Sequence, residues 1–230
     1  MRNFERTKLL IGEESFIKLT NSHVAVFGVG GVGGYVVEAL ARSGVSKITV
    51  VDNDDISESN INRQILATVK TLGKDKVEVA RDRILSINPK ASVTCHKVFY
   101  LPESADCFNF SDYDYVVDAV DTVSAKIEII TRAVYQGIKV ISCMGTGGKL
   151  SPEKLKVENL SKTKVCPLAR VMRRELGKKG IKDIKVVYSE EEGEKEKRED
   201  GKKNIPSMIF VPASAGILIA SEVIKDLING

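Results

Sequence analysis

The chain has 230 residues, enough to bury one substantial α/β core, and its 43% hydrophobic and 29% charged residues are ordinary for a soluble globular protein. Four scattered cysteines (Cys95, Cys107, Cys143, Cys166) with no CxxC pair, and two histidines, His23 and His96, supply neither a grouped zinc ligand set nor a disulfide framework. The formal net charge of +4 is unevenly spread: residues 161–185 hold nine lysines and arginines against Glu175 and Asp183, a basic patch suited to an anionic partner such as nucleic acid.

Residues 7–20 have helical spacing, with Leu9, Leu10, Phe16, Ile17 and Leu19 as expected core contacts; their mixed polarity does not read as a signal peptide, so a cytoplasmic location is expected. His23–Phe27 is a short buried strand running into glycines, and a helix follows through Val32, Val36, Ala39 and Leu40 until Gly44 caps it. A second apolar run, Ile48–Val51, stops at Asp52. Residues 74–87 predict an amphipathic helix closed by Asn88-Pro89. Val93–Val98 is a third strand, and Tyr113–Val117 a fourth that ends in Asp118 and Asp121. A helix over 123–136 leads to a fifth strand, Lys139–Met144. Beyond Gly148, Pro167 opens a helix whose Leu168, Val171, Met172 and Leu176 share a face, and Ile184–Tyr188 is a further strand. Residues 189–204 are almost wholly charged and read as a mobile loop before a closing helix at 214–228. Met208–Ile219, the most apolar stretch, is too short to span a bilayer and reads as core. This alternation predicts a doubly wound, Rossmann-like, mostly parallel α/β sheet with an added C-terminal α/β portion. No domain boundary is visible: a nucleotide-binding part over about 1–150 and a substrate-side part over about 151–230 form one unit.

Gly28-Val29-Gly30-Gly31-Val32-Gly33 lies between the first strand and its helix. There, small residues let the backbone approach a phosphate and helix N–H groups face it. Asp52, ending the second strand, is placed to accept hydrogen bonds from a ribose, with Asp54 beside it. NAD, FAD and ATP all suit these features. The segment Asn60-Ile61-Asn62-Arg63-Gln64, followed by Lys76, favours ATP, because an uncapped triphosphate calls for cations and amide donors. Asp121, at the carboxyl edge of the sheet, is a candidate Mg²⁺ ligand alongside phosphate oxygens and water. Cys143 and Cys166 have no companion base and are not assigned a role.

Together GVGGVGG, VVDNDDISESNINRQ, GKDKVEVA and DAVD resemble the adenylating domain shared by ThiF, the molybdopterin-synthase adenylyltransferase and ubiquitin-activating enzymes. The resemblance implies ATP-dependent adenylation of a carboxylate. Asp52 would hold the ribose, Asn60, Arg63, Gln64 and Lys76 the phosphates, and Asp121 the Mg²⁺. It implies a homodimer in which Arg6 reaches the partner's ATP. In the second half, CMGTGGKLSPEKLKVENLSKTKVCPLARVMRREL resembles the tRNA threonylcarbamoyladenosine dehydratase branch, although Cys166 stands where an acid is expected. That branch implies adenylation of the modification's carboxylate and ring closure by a nucleophile of the same modification. The tRNA would lie on Arg170, Arg173, Arg174, Lys178 and Lys179. It also leaves room for a monovalent cation and a sulfurtransfer-system protein partner. The competing readings are activation of a ubiquitin-like or sulfur-carrier C-terminus, against which the missing CxxC pairs argue, and a nicotinamide oxidoreductase, for which no hydride-transfer constellation is present.

Overall fold

A computed structural model describes residues 4–194 and 205–230, with the backbone alone at 196–197 and 203–204. Seven strands form one sheet: β1 (His23–Phe27), β2 (Lys47–Val51), β3 (Ser92–His96), β4 (Tyr115–Asp118), β5 (Lys139–Cys143), β6 (Leu155–Asn159) and β7 (Lys185–Ser189). Their order across the sheet is β3-β2-β1-β4-β5-β7-β6, parallel throughout except for β6, which pairs antiparallel with β7 at the edge. Strand order reverses direction between β1 and β4, the place where open α/β sheets open a ligand crevice at their carboxyl ends.

The central strands are buried on both faces. In β1, Val24 and Val26 enter one core while Ala25 and Phe27 enter the other, as a period of two dictates. Against the first face pack α3 (Gly33–Ser43), α4 (Lys76–Ile87) and α7 (Phe210–Asn229). Against the second pack α5 (Val123–Tyr135), α6 (Pro167–Lys178) and an aromatic group in which Phe27 stacks on Phe110 at 5.6 Å. The fully buried charges of this interior are paired. Asp118 and Lys126, both fully buried, bridge at 2.9 Å. Asp118 also accepts from the Ser142 hydroxyl at 2.5 Å and from the Val120 N–H at 3.3 Å.

Several expectations are corrected. The helix expected over 7–20 is two helices, α1 (Glu5–Ile11) and α2 (Glu13–Asn21), because Gly12 sits at φ 84° and turns the chain. Phe16 and Leu19 reach the core, but Leu9 and Leu10 are 82% and 84% exposed and Ile17 is exposed as well. The closing helix starts at Phe210 rather than at 214, with Pro212 tolerated in its first turn where no helical N–H partner is needed. Of the stretch expected as core, Val211, Ala215 and Ile219 are buried, whereas Met208, Ile209, Phe210 and Ile217 face outward. On α6 the buried face is Ala169, Met172 and Leu176, with Leu168 and Val171 half-buried. β6 has no counterpart in the predicted elements. Within the charged segment expected as a mobile loop over 189–204, Ser189 completes β7, and β8 (Glu196–Lys197) pairs antiparallel with β9 (Lys203–Asn204). Residues 195 and 198–202 of that segment lie outside the described residues. Among the described residues no helix is long and apolar enough to cross a membrane.

Candidate active site

The carboxyl ends of β1, β2, β4 and β5 open into a cavity of about 1170 Å³. Gly28, Gly30 and Gly31, Asp52 and Asp54, Asn60, Arg63, Gln64, Lys76 and Asp121 all contribute to its wall. Gly33 does not; it is buried at the start of α3. The glycines divide by purpose. Gly28 has φ 84°, and a Cβ there would fall 2.8 Å from the Ala119 carbonyl oxygen at the end of β4. A Cβ on Gly33 would collide with the Gly28 carbonyl. Those two glycines let the loop, helix and β4 pack. A Cβ on Gly30 would meet nothing nearer than the Gln64 amide at 3.7 Å, so this position is required to be small only if something occupies the cavity.

Asp52 braces the loop. Its Oδ2 accepts the Val29 N–H at 2.8 Å and its Oδ1 the Asp54 N–H at 2.9 Å, which fixes the carboxylate while leaving further lone pairs for a ligand. Lys76, at the first position of α4, is only 5% exposed. Its ammonium bonds Asp54 at 2.7 Å and stands 3.8 Å from Asp52. Arg63 donates through Nη1 to Ser59 O at 2.7 Å and to Asn62 Oδ1 at 2.9 Å, leaving Nε and Nη2 without a hydrogen bond among the described residues. Asn60 is partly committed, its Oδ1 capping a short turn through the Ser57 N–H at 3.1 Å. Gln64 Oε1 is buried with no hydrogen-bond partner among the described residues, an acceptor that a ligand donor could satisfy. Asp121 is exposed at the cavity mouth and, among the described residues, accepts one hydrogen bond, from the Thr122 hydroxyl at 3.4 Å. A carboxylate at the mouth of such a cavity is of the kind that Mg²⁺, which takes few protein ligands, can use.

Other predicted residues stand elsewhere. Arg6 is exposed on α1 and is not part of the cavity of its own chain. Of the basic set on α6, Arg170 lines the cavity rim. Arg173 is turned back onto Thr163, donating to its carbonyl at 2.9 Å. Arg174 and Lys178 both pair with Glu175, at 2.6 and 2.7 Å. Lys179 is exposed. The predicted basic face is therefore less open than its charge count suggests.

The β5 side of the cavity, which the predicted site residues do not include, is made by Cys143, the loop Met144–Gly147, Lys149, Cys166 and Glu191. Burial pushes the Cys143 thiol up to about 12, which makes it an inert core group. Val165, just ahead of Cys166, holds φ 60°, a strained value for a β-branched residue at the cavity wall. The signal for this side was the glycine turn Gly145-Thr146-Gly147-Gly148 closing the fifth strand, a position equivalent to those of Gly28 and Asp52.

The ThiF family profile matches residues 4–229. The tRNA threonylcarbamoyladenosine dehydratase of Bacillus subtilis is 40% identical over the whole chain and 96% of its own length. The Escherichia coli tRNA N6-threonylcarbamoyladenosine dehydratase TcdA, solved in complex with AMP, superposes with a TM-score of 0.92 at 32% identity, covering 99% of this chain and 94% of that one. The same enzyme in complex with ATP gives 0.90 over 99% and 94%. With a carboxyl-edge cavity built as described and these relatives matching over more than nine-tenths of their length, the chain belongs to the ThiF family, in its tRNA threonylcarbamoyladenosine dehydratase branch.

Proposed function

We propose that this protein uses ATP to adenylate the carboxylate of threonylcarbamoyladenosine at position 37 of tRNA and that ring closure then releases AMP. The observation that carries this reading is the cavity itself. A braced acid, a cavity-facing glycine, two cations and a carboxylate share one sheet edge, and the similar Escherichia coli enzyme is solved in complex with ATP and with AMP.

A carboxylate is a poor electrophile because oxide would have to leave. In the first step a substrate carboxylate oxygen bonds to the α-phosphorus of ATP and the bond to pyrophosphate breaks. Arg63, with two donor nitrogens unspent, and Lys76 would stabilise the negative charge gathering on the departing pyrophosphate. Lys76 would exchange Asp54 for phosphate oxygens in doing so. Asp52 would hold the ribose, and Asn60 and Gln64 the phosphates. Mg²⁺, held by Asp121, would neutralise phosphate charge. In the second step a nucleophile within the same modification attacks the acyl carbon, AMP leaves with the carboxylate oxygen, and the attacking group's proton is released. Proximity within one nucleoside replaces a bimolecular encounter, and no enzyme thiol is needed.

The fuller reading includes a homodimer that brings Arg6 to the partner's nucleotide, a cytoplasmic setting, and tRNA phosphates lying along Arg170 and Lys179 with Arg173, Arg174 and Lys178 behind them. A monovalent cation and a sulfurtransfer-system partner are looser family expectations to which no residue here is assigned. The test is mass analysis of tRNA nucleosides after incubation with ATP. Threonylcarbamoyladenosine should lose one water, and Arg63→Ala and Asp121→Ala should each abolish the conversion. Pyrophosphate exchange driven by a carrier protein and not by tRNA would overturn the reading.

A further inference from the structure

Lys149 is an anomaly in this wall. Its side chain is only 7% exposed yet lines the cavity. The ammonium donates to the Gly145 carbonyl at 3.0 Å and to the Ser189 carbonyl at 3.4 Å, and among the described residues no carboxylate lies within ion-pair distance. The neighbouring acid, Glu191, is committed elsewhere: its two oxygens accept the Leu150 and Ser151 N–H groups, both at 2.9 Å. Burial accordingly draws the Lys149 pKa down. Nor can the lysine easily withdraw. Gly148, at φ 72°, donates to Pro206 O at 2.6 Å and accepts from the Glu194 N–H at 2.7 Å, and any Cβ there would strike the Glu194 backbone. A buried cation with no carboxylate in ion-pair contact among the described residues is costly to keep.

Its position along the sheet edge indicates what it faces. Asp52 follows β2, the glycine loop β1, Asp121 β4, and Lys149 β5. If the ribose lies at β2 and the phosphates over β1, Lys149 stands on the far side of the phosphates, near Cys166, in a wall to which Arg170 also contributes. That is where a second substrate must enter to meet the α-phosphorus. We propose that Lys149 is the cationic seat of the substrate carboxylate that is to be adenylated, supplying an ion pair that none of the described residues makes. This role rests on the functional reading above and names the group that presents the acyl substrate.

The test uses the full chain and tRNA with and without the threonylcarbamoyl modification, with binding read by fluorescence anisotropy in the absence of ATP and ATP affinity read separately by calorimetry. Wild type should favour the modified tRNA by about tenfold or more, the usual worth of a charge-assisted hydrogen bond. Lys149→Met should bind both tRNAs with the affinity of the unmodified one, with ATP affinity unchanged, and Lys149→Gln should restore only part of the preference. Retained preference in Lys149→Met, an equal loss of ATP affinity, or full rescue by Gln would each overturn the role. Should Lys149→Met not fold, Lys149→Gln carries the same comparison. A wild type that converts the nucleoside beside an equally discriminating Lys149→Met refutes this role alone; a wild type that neither discriminates nor converts refutes the functional reading and the role with it.

Discussion

The buried pair Asp118–Lys126 gives a stability prediction with a magnitude. Lys126→Met keeps the length and apolar stem of the side chain but deletes the ammonium that bridges Asp118 at 2.9 Å and donates to Val120 O at 3.0 Å. Breaking a buried ion pair by removing one partner costs about 3–5 kcal/mol, since the remaining charge is left uncompensated. Ser142 and the Val120 N–H still serve Asp118, which places the expected loss in the lower half of that range. At about 2–4 °C per kcal/mol for a domain of this size, Tm should fall by about 6–16 °C. Urea unfolding followed by circular dichroism measures it. The double variant D118N/K126M, with no buried charge left and an amide oxygen still facing Ser142, should regain more than half of the loss. A loss below about 1 kcal/mol for Lys126→Met, or no recovery in the double variant, would refute the argument that this pair is electrostatically closed.

Three further outcomes are expected. Gly30→Val should leave Tm within a few degrees while weakening ATP binding at least tenfold by calorimetry, because its side chain enters open cavity. Gly28→Ala should instead destabilise, since φ 84° and the Ala119 carbonyl both oppose a Cβ. Arg170→Ala should weaken tRNA binding and reduce its salt dependence by about one ion, whereas Arg174→Ala, whose charge Glu175 already meets, should change both by less. Asp226 governs part of the acid response. Burial alone would raise its pKa, but the Lys185 ammonium and the Tyr115 hydroxyl, each at 2.7 Å, outweigh that and hold it below 3.8. Its protons therefore bind the unfolded chain first, so its stabilisation is full above that value and is lost as pH falls below it. Asp226→Asn should flatten the fall in urea midpoint as pH drops below about 4.

Much of this architecture could be read from strand endings. His23–Phe27, Ile48–Val51 and Tyr113–Val117 are apolar runs that stop at a glycine, an acid and an acid, and those stops are the carboxyl edge of the sheet. Gly28, Asp52 and, three residues past the last of these stops, Asp121 share one cavity with Arg63 and Lys76 for that reason, while Asp118 itself is buried against Lys126. Leu9 and Leu10 misled because helical spacing carries no information about the turn at Gly12 that aims α1 away from the core. β6 went unnoticed since an antiparallel edge strand is only half-buried and its alternation over Leu155–Asn159 is faint. Lys149 reads as one more surface cation until Gly148 is seen pinned to Glu194 and Pro206, both more than forty residues downstream. A sum of charges overstates the basic patch because it does not register Glu175 between its arginine and lysine neighbours, nor Arg173 folding onto Thr163.

The way α7 meets the glycine loop bears on how the molecule is made. Pro212 lies 3.5 Å from the Cβ position of Gly31, the Asn62 amide donates to Ser207 O at 2.9 Å, and Gly216 lets the helix settle against the Val32 carbonyl and Tyr35. One wall of the crevice thus comes from the opening strand-to-helix turn and its cover from residues synthesised some 180 positions later. During translation the half-built sheet must wait with α3 uncovered on that side, an apolar stripe open to chaperones or to misassociation, and the pocket closes only once the last helix has cleared the ribosome.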